Sequence, residues 1–420
     1  MTAHQSSFLN ELQWRGYIHQ GTDLEGLDEL LFKGPVSAYI GFDATADSLH
    51  VGSLIQIMML THLQRHGHRP VVLMGGGTSK VGDPTGKDAA RQYLTDETIA
   101  HNITGIQQVF AKFLTFGAGK TDAIMLNNAD WLDRIKYMDF LRDYGRFFSI
   151  NRMLTFDSVK LRLEREQPLT FLEFNYMILQ GFDFAHLAKT HNCRLQLGGS
   201  DQWGNIVAGI DLGRRMDLPQ LYGLTSPLLA TSSGTKMGKT ASGAVWLNEE
   251  RLSAYEYWQF WRNTEDSDVI RFMKLFTLLP QGEIEELAKL QGQEINLVKK
   301  RLADEATALL HGSNVLPAIH QTASALFESG TAGLDALEEI TLNHEDLTAE
   351  GISLLHLLTR AGLTTSNGEG RRMIRGKAIR INQRLIDDEL HHVLKSDFYS
   401  NGSLIISSGK KKHICVKLIS

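Results

Sequence analysis

Val36-Ser37-Ala38-Tyr39-Ile40-Gly41-Phe42 runs straight into Asp43-Ala44-Thr45-Ala46-Asp47-Ser48-Leu49-His50. The first seven residues alternate and then meet Asp43 and Thr45, the pattern of a strand closing in a loop. His50 to His66 is apolar around most of its circumference and stops at Gly67-His68-Arg69-Pro70, which predicts a largely buried helix. Val71 to Met74 is a short apolar run ending in Gly75-Gly76-Gly77, which suits a buried parallel strand and a tight turn. Strand, helix and strand at this spacing make a βαβ unit, and hence an α/β fold with a doubly wound parallel sheet. Arg194 to Leu197, followed by Gly198-Gly199, repeats the strand-then-glycine pattern.

Outward from this unit the character changes twice. Ser253 to Ser324 reads as helical, with few glycines. Gly330 to Glu350 holds six acidic residues and no Lys or Arg, so it is expected to be a linker or an exposed acidic segment. The last 70 residues open with a helix-like run, Ser353 to Arg360, and end in short alternating stretches, Ser403–Ser407 and His413–Leu418. The expected division is therefore 1–248, a Rossmann-like catalytic domain; 249–328, a helical domain; 329–350, an acidic linker; and 351–420, a small α+β module.

The chain has 420 residues and a formal net charge of -5. Residues 351–420 nevertheless carry 12 Lys+Arg against 5 Asp+Glu. A basic module on an acidic body is the pattern of a protein that meets a phosphate backbone, although a solvated tail with chance charge is the plainer alternative. No apolar run approaches the roughly 18 residues that span a bilayer, so no membrane role is expected. A secretory signal is not expected either, because the N-terminus lacks a basic patch followed by an apolar core. Cys193 and Cys415 are the only cysteines, which argues against a disulfide framework and a four-ligand zinc site and favours a reducing cytoplasm.

Three segments fall where such a sheet binds nucleotides, at the carboxyl edge of its strands. His50-Val51-Gly52-Ser53 starts the buried helix, where unpaired N–H groups suit phosphate and Gly52 admits a planar base. Gly234-Thr235-Lys236-Met237-Gly238-Lys239-Thr240 is a glycine-containing stretch whose two lysines can close over a triphosphate. Gly82-Asp83-Pro84-Thr85-Gly86-Lys87 offers a carboxylate for an ammonium and a lysine for phosphate. Standing alone, the first two read more readily as a structural accident and a solvated surface loop, and the third as a Gly- and Pro-rich turn that needs no ligand. Tyr176, Gln180 and Asp183, at i, i+4 and i+7, share one helix face, where a purely structural face would more often carry Leu or Val.

Taken together, His50-Val51-Gly52-Ser53 and Lys236-Met237-Gly238-Lys239-Thr240 resemble the HIGH and KMSKS signatures of class I aminoacyl-tRNA synthetases. Tyr39 to His50, Gly82–Lys87, Tyr176–Asp183 and Gln196 to Asn205 look like the bacterial tyrosyl-tRNA synthetase family nearly residue for residue, over about Phe32 to at least His311. The resemblance implies ATP-dependent activation of tyrosine and its transfer to tRNA. It implies that Tyr39 and Asp183 bind the phenolic hydroxyl, that Asp83, Tyr176 and Gln180 hold the ammonium, and that Gln202 lies near the carboxylate. It places Thr45, His50, Lys87, Arg91, Lys236 and Lys239 around the triphosphate and Asp201 on the ribose. Gly52, Ser53, Gly199 and Met237 lie beside the nucleotide, and Asp43 lies between the two substrates. It further implies magnesium carried with ATP, no protein-bound metal, a homodimer with its interface in an insertion of the first domain, and a tail that binds tRNA. Arg371, Arg372, Arg375, Lys377 and Arg380 are the tail's candidate phosphate contacts, with Ile374, Ile379 and Ile381 as its core. Two departures stand out: Ser53 replaces the second signature histidine, and Gly238 replaces a serine.

Three other readings share part of the pattern. A tryptophan-specific relative has similar architecture, but its substrate has no phenol for Tyr39 and Asp183. A catalytically silent paralogue has no need of Thr45, His50, Lys236 and Lys239. A small-molecule adenylyltransferase shares the HxGH-type site but does not need the basic tail.

Overall fold

The computed structural model describes residues 4–85, 94–232, 234, 237–240, 243–328, 338–343, 346–347, 351–382, 384–398, 402–409 and 412–419. Two compact units result: Met1–Leu252 with Thr264–Leu310, and Ser253–Asn263 with His311–Ser420.

The first unit is built on a six-stranded sheet: β1 (Gln20–Gly21), β2 (Ser37–Phe42), β3 (Arg69–Met74), β4 (Ile124–Asn127), β5 (Cys193–Gly199) and β6 (Tyr222–Ser226). Its order is β1-β6-β5-β2-β3-β4. All neighbours run parallel except the edge strand β1, which is antiparallel to β6, and a separate short ladder pairs β7 (Lys239–Thr240) with β8 (Gly243–Ala244). From β2 the chain winds outward through β3 and β4, then returns to the other side of β2 through β5 and β6. The winding reverses at β2 and β5, and that reversal opens a crevice at their carboxyl ends.

Burial explains why these residues form these elements. Ala38, Tyr39, Ile40 and Phe42 of β2 are buried, as are five of the six residues of β3, as strands covered on both faces require. The helix Leu54–Arg65 buries Leu54, Ile55, Ile57 to Leu60 and Leu63, so its apolar surface does not form a single stripe. At the end of the helix Tyr176–His191, Asn192 turns into the left-handed region at φ 48°, closing the helix just before β5. The expected strands at 36–42, 71–74 and 194–197 and the helix after His50 all form, the strand ends shifted by at most two residues and the α-helix starting four residues later, at Leu54.

Two features depart from the expected division. Residues 249–328 do not form one helical block: 264–310 pack with the sheet unit, while 253–263 pack with 311–420. The acidic stretch is not wholly a linker. Glu338–Asn343 forms β9, an edge strand parallel to β15 (Lys412–Ile419), with Ile340 opposite Val416 and Leu342 opposite Leu418. The net charge conceals a two-residue alternation in which Leu342 is buried and Glu339 pairs with Lys417.

β9 completes a five-stranded sheet with β11 (Ile379–Ile381), β12 (Arg384–Leu385), β14 (Ser403–Ser408) and β15, in the order β12-β11-β14-β15-β9. A short ladder joins β10 (Ile352–Ser353) to β13 (His392–Val393). Ile374, Ile379 and Ile381 are buried in its core with Leu354, Leu357 and Leu358, as expected.

Candidate functional site

The crevice at the carboxyl ends of β2 and β5 is a cavity of about 340 Å³. Tyr39, Asp43, Thr45, His50, Gly52, Ser53, Asp83, Tyr176, Gln180, Asp183, Gly199, Asp201 and Gln202 all line it. Thirteen residues expected from the sequence, drawn from four separate stretches, thus meet in one space.

One end of the cavity is closed and polar. Tyr39, on β2 opposite Gln196 of β5, is buried, and its hydroxyl has no partner among the described residues. Burial and the neighbouring Asp183 carboxylate hold its pKa well above that of a free phenol, so it stays protonated. Asp183 is 2% exposed and accepts one hydrogen bond on each oxygen, from Asn128 Nδ2 at 2.8 Å and Trp131 Nε1 at 2.7 Å. Burial pushes its pKa up to about 7 against these two donors, and Asp43 adds repulsion. A buried phenol with an unfilled hydrogen bond beside a carboxylate is a recess for a hydroxyl that both donates and accepts.

Two polar clusters form the middle. Asp43 accepts from Thr78 Oγ1 at 2.8 Å and from the Tyr176 hydroxyl at 3.1 Å. Glycine at position 75 makes room for this pair, since a Cβ there would lie 2.3 Å from Asp43 Oδ1 and 2.5 Å from Thr78 Oγ1. Asp83 accepts from Gln202 Nε2 at 2.8 Å, and Asn205 Nδ2 ties Gln202 to Gln180 at 3.1 and 3.0 Å. Asp201 has its pKa raised, chiefly by burial and then by Asp83. Four carboxylates facing one cavity favour a cationic group on the ligand.

The open side is set by the turn at His50. Its Nδ1 accepts the Gly52 N–H at 2.9 Å, and its ring lies 6.4 Å from that of Trp246. A Cβ on Gly52 would fall 2.6 Å from the His50 ring, so the turn needs glycine. Met237 is buried, and Gly238 adopts φ 84° with its Cα beside the Gly52 N–H, where a Cβ would come within 3.0 Å. A serine at 238 would be strained in this backbone, which accounts for the glycine in the lysine-containing loop. Ser53 lines the cavity and makes no capping hydrogen bond to the helix it precedes.

Not every expected residue can be placed. Lys87, Arg91 and Lys236 lie outside the described residues, and Lys239 is described only through its backbone, which pairs with Ala244. In the second unit, Arg371, Arg372, Arg375 and Lys377 are exposed and Arg380 is partly so. Arg375 is held in a two-point ion pair by Glu389. Conversely, Thr78, Asn128 and Trp131 join the site although the sequence does not single them out, and so does Gln196, to which the resemblance over 196–205 assigns no role. Gln196 is 2% exposed, lines the cavity and has its Oε1 unpaired among the described residues. Its amide between Leu195 and Leu197, buried strand residues on either side, is the signal the sequence offers.

The sequence as a whole agrees with this geometry. The profile of the family "tRNA synthetases class I (W and Y)" matches residues 32–328, and that of the "Tyrosine--tRNA ligase SYY-like C-terminal domain" matches 336–416. The tyrosine–tRNA ligase of Rhodospirillum rubrum is 58% identical over 419 residues, covering all of both chains. That of Bartonella henselae is 57% identical over 417 residues, covering 99% of this chain and all of its own. Among solved structures, a C-terminally truncated mitochondrial tyrosyl-tRNA synthetase of Aspergillus nidulans matches with a TM-score of 0.69 at 31% identity, covering 76% of this chain and 94% of that one. By its catalytic unit, its C-terminal module and its full-length relatives, the chain belongs to the class I tRNA synthetases of the tryptophan and tyrosine group, among the tyrosine–tRNA ligases.

Proposed function

We propose that the cavity takes L-tyrosine with its phenol against Tyr39 and Asp183, and ATP across the His50 turn. The reading is carried by the buried, unpartnered Tyr39 hydroxyl beside Asp183. Tryptophan and phenylalanine have no hydroxyl to fill that place. The ammonium of tyrosine lies among Asp83, Tyr176 and Gln180. Thr45, His50, Lys87, Arg91, Lys236 and Lys239 meet the triphosphate, and Asp201 the ribose, with Gly52, Ser53, Gly199 and Met237 beside the nucleotide.

Two transfers then follow without a protein nucleophile. The tyrosine carboxylate attacks the α-phosphorus, the bond to the bridging oxygen breaks, and pyrophosphate leaves. A ribose hydroxyl of the terminal tRNA adenosine next attacks the tyrosyl carbonyl, and AMP leaves. The protein orients the reactants and supplies donors where negative charge grows. Asp43 and Asp83 are already engaged by Thr78, Tyr176 and Gln202. Magnesium carried with ATP would be held mainly by phosphate oxygens and water and would neutralise charge on the leaving group. Amino-acid-dependent ATP–pyrophosphate exchange tests the reading with tyrosine, tryptophan and phenylalanine side by side. Exchange driven by tyrosine is expected; exchange driven by tryptophan alone, or none, overturns it.

The exposed Arg371, Arg372 and Lys377 support a tRNA-backbone role for the C-terminal module. Arg371→Glu with Arg372→Glu should weaken tRNA binding and lower the slope of log affinity against log salt by about 1 for each phosphate no longer neutralised. Pyrophosphate exchange should be untouched; an unchanged salt slope removes these two residues from the interface.

A homodimer is supported by apolar side chains left in solvent between 137 and 172, among them Met138 at 71%, Ile150 at 64% and Phe171 at 69% exposed. Phe140, in the same region, is instead buried in the unit's own core. Sedimentation equilibrium should give twice the 47.0 kDa chain mass, and Met138→Glu with Ile150→Glu should give the chain mass. A double variant that stays dimeric moves the interface elsewhere. No described helix is long and apolar enough to cross a membrane, and both cysteines are buried free thiols, which suits a reducing cytoplasm.

A further inference from the structure

Asp183 at the closed end of the cavity and Asp43 at its nucleotide edge are joined by a two-residue bridge. Asn128 follows β4, and Thr78 opens the short turn after β3. Asn128 Nδ2 donates to Asp183 Oδ2 at 2.8 Å and to Thr78 Oγ1 at 3.0 Å. Its Oδ1 accepts the backbone N–H groups of Gly77 at 2.8 Å and Thr78 at 3.4 Å. The amide orientation is therefore fixed, because a flip would set oxygen against a carboxylate and NH2 against two N–H groups. The Thr78 hydroxyl has one proton. It accepts from Asn128, so it donates to Asp43 Oδ1 at 2.8 Å. The chain of donors runs one way, Asn128 to Thr78 to Asp43. Both bridging residues are buried, at 1% and 3% exposure.

We propose that Thr78 and Asn128 are positioning residues that transmit occupation of the phenol recess to Asp43, so that the substrate hydroxyl speeds the chemical step as well as strengthening binding. The proposal deepens the assignment of the cavity to tyrosine and rests on it. A phenol donating to Asp183 takes up part of the carboxylate's negative charge, so the Asn128 NH2, whose two hydrogens are shared between Asp183 and Thr78, donates more fully to Thr78. Hydrogen bonds in series from Asn128 through Thr78 polarise one another at low dielectric, so the Thr78 hydroxyl holds Asp43 more firmly where the amino acid's carboxyl end meets ATP. Phenylalanine leaves Asp183 with its protein donors alone, and the bridge transmits nothing.

Single-turnover adenylate formation by the full chain, with tyrosine and with phenylalanine, separates the rate constant from the dissociation constant. Thr78→Val should lower the rate constant with tyrosine by roughly tenfold or more, the scale of a lost hydrogen bond to a charged group, and leave tyrosine affinity little changed. The rate constant with phenylalanine should stay the same, so the ratio between the two substrates contracts. Thr78→Ser keeps the hydroxyl and should restore both rate and ratio. An unchanged tyrosine rate, an equal fall for both substrates, or a Thr78→Ser as slow as Thr78→Val overturns the proposal. Where Thr78→Val does not fold, Thr78→Ala is put through the same comparison. Wild-type chain that gives no tyrosine-dependent exchange sinks the assignment of the cavity itself; normal wild-type exchange with an unaltered Thr78→Val ratio sinks only the bridge.

Discussion

Asp183→Asn should bind tyrosine roughly 10- to 100-fold more weakly, the range for loss of a hydrogen bond to a charged group, while phenylalanine binding changes little. Two donors converge on this carboxylate, one on each oxygen. An amide can satisfy only one of them and turns its own NH2 toward the other, so the fold should also lose about 1–3 kcal/mol. Using phenylalanine as an internal control cancels that structural loss, because both amino acids meet the same weakened cavity. A tyrosine-to-phenylalanine affinity ratio equal to that of the wild type would remove Asp183 from recognition.

The same carboxyl predicts a pH dependence. Its pKa is raised from 3.8 to about 7 in the folded chain. Its contribution to stability is therefore fully present below the unfolded value and is lost as pH rises through about 7. Ligand binding has the opposite sign, since a phenol donates best to the ionised form. Tyrosine affinity should rise with pH up to about 7, by at most about tenfold per unit, and phenylalanine affinity should not follow it.

Local periodicity carried much of the fold and half of this recess. Val36 to Met74 is legible because two buried strands and a buried helix are each apolar runs ended by glycine or a polar loop. Tyr176, Gln180 and Asp183 are legible because the helix repeat puts polar residues on a face that would otherwise be apolar. Asn128 and Trp131 carry no such mark. They reach Asp183 across 55 and 52 residues of sequence, and only the folded sheet brings the end of β4 beside that helix. Thr78 was hidden in the same way, its Asp43 partner lying 35 residues earlier, just past the end of the neighbouring strand β2.

Charge counting misled at one place. Glu338 and Glu339 made the stretch look solvated, while Ile340 and Leu342 were already spaced for a strand. Six residues pairing with the far end of the chain give no local signal of their partner, so only the alternation was readable. The division of the helical region was not readable for a related reason. Helix propensity says that 253–324 is helical, but which core each helix joins depends on contacts such as Arg15 donating to the carbonyls of Lys274, Thr277 and Leu279.

His50→Ala should slow adenylate formation by about 10²- to 10³-fold, the usual effect of removing one pre-placed donor from a developing anion, with tyrosine affinity unchanged. The structure fixes which nitrogen does this. The Gly52 N–H can only donate, so Nδ1 must accept, and the proton of the neutral ring sits on Nε2. The ring is steadied by Trp246 on one side and by the glycine turn beneath it. Alanine therefore removes an N–H donor at the open side of the cavity and leaves the Tyr39 and Asp183 end intact. Rapid-quench measurement of pyrophosphate release, with tyrosine binding followed separately, distinguishes the cases. An unchanged rate takes His50 out of the chemistry, and a parallel fall in tyrosine affinity makes it a residue that shapes the cavity instead of one that stabilises the leaving group.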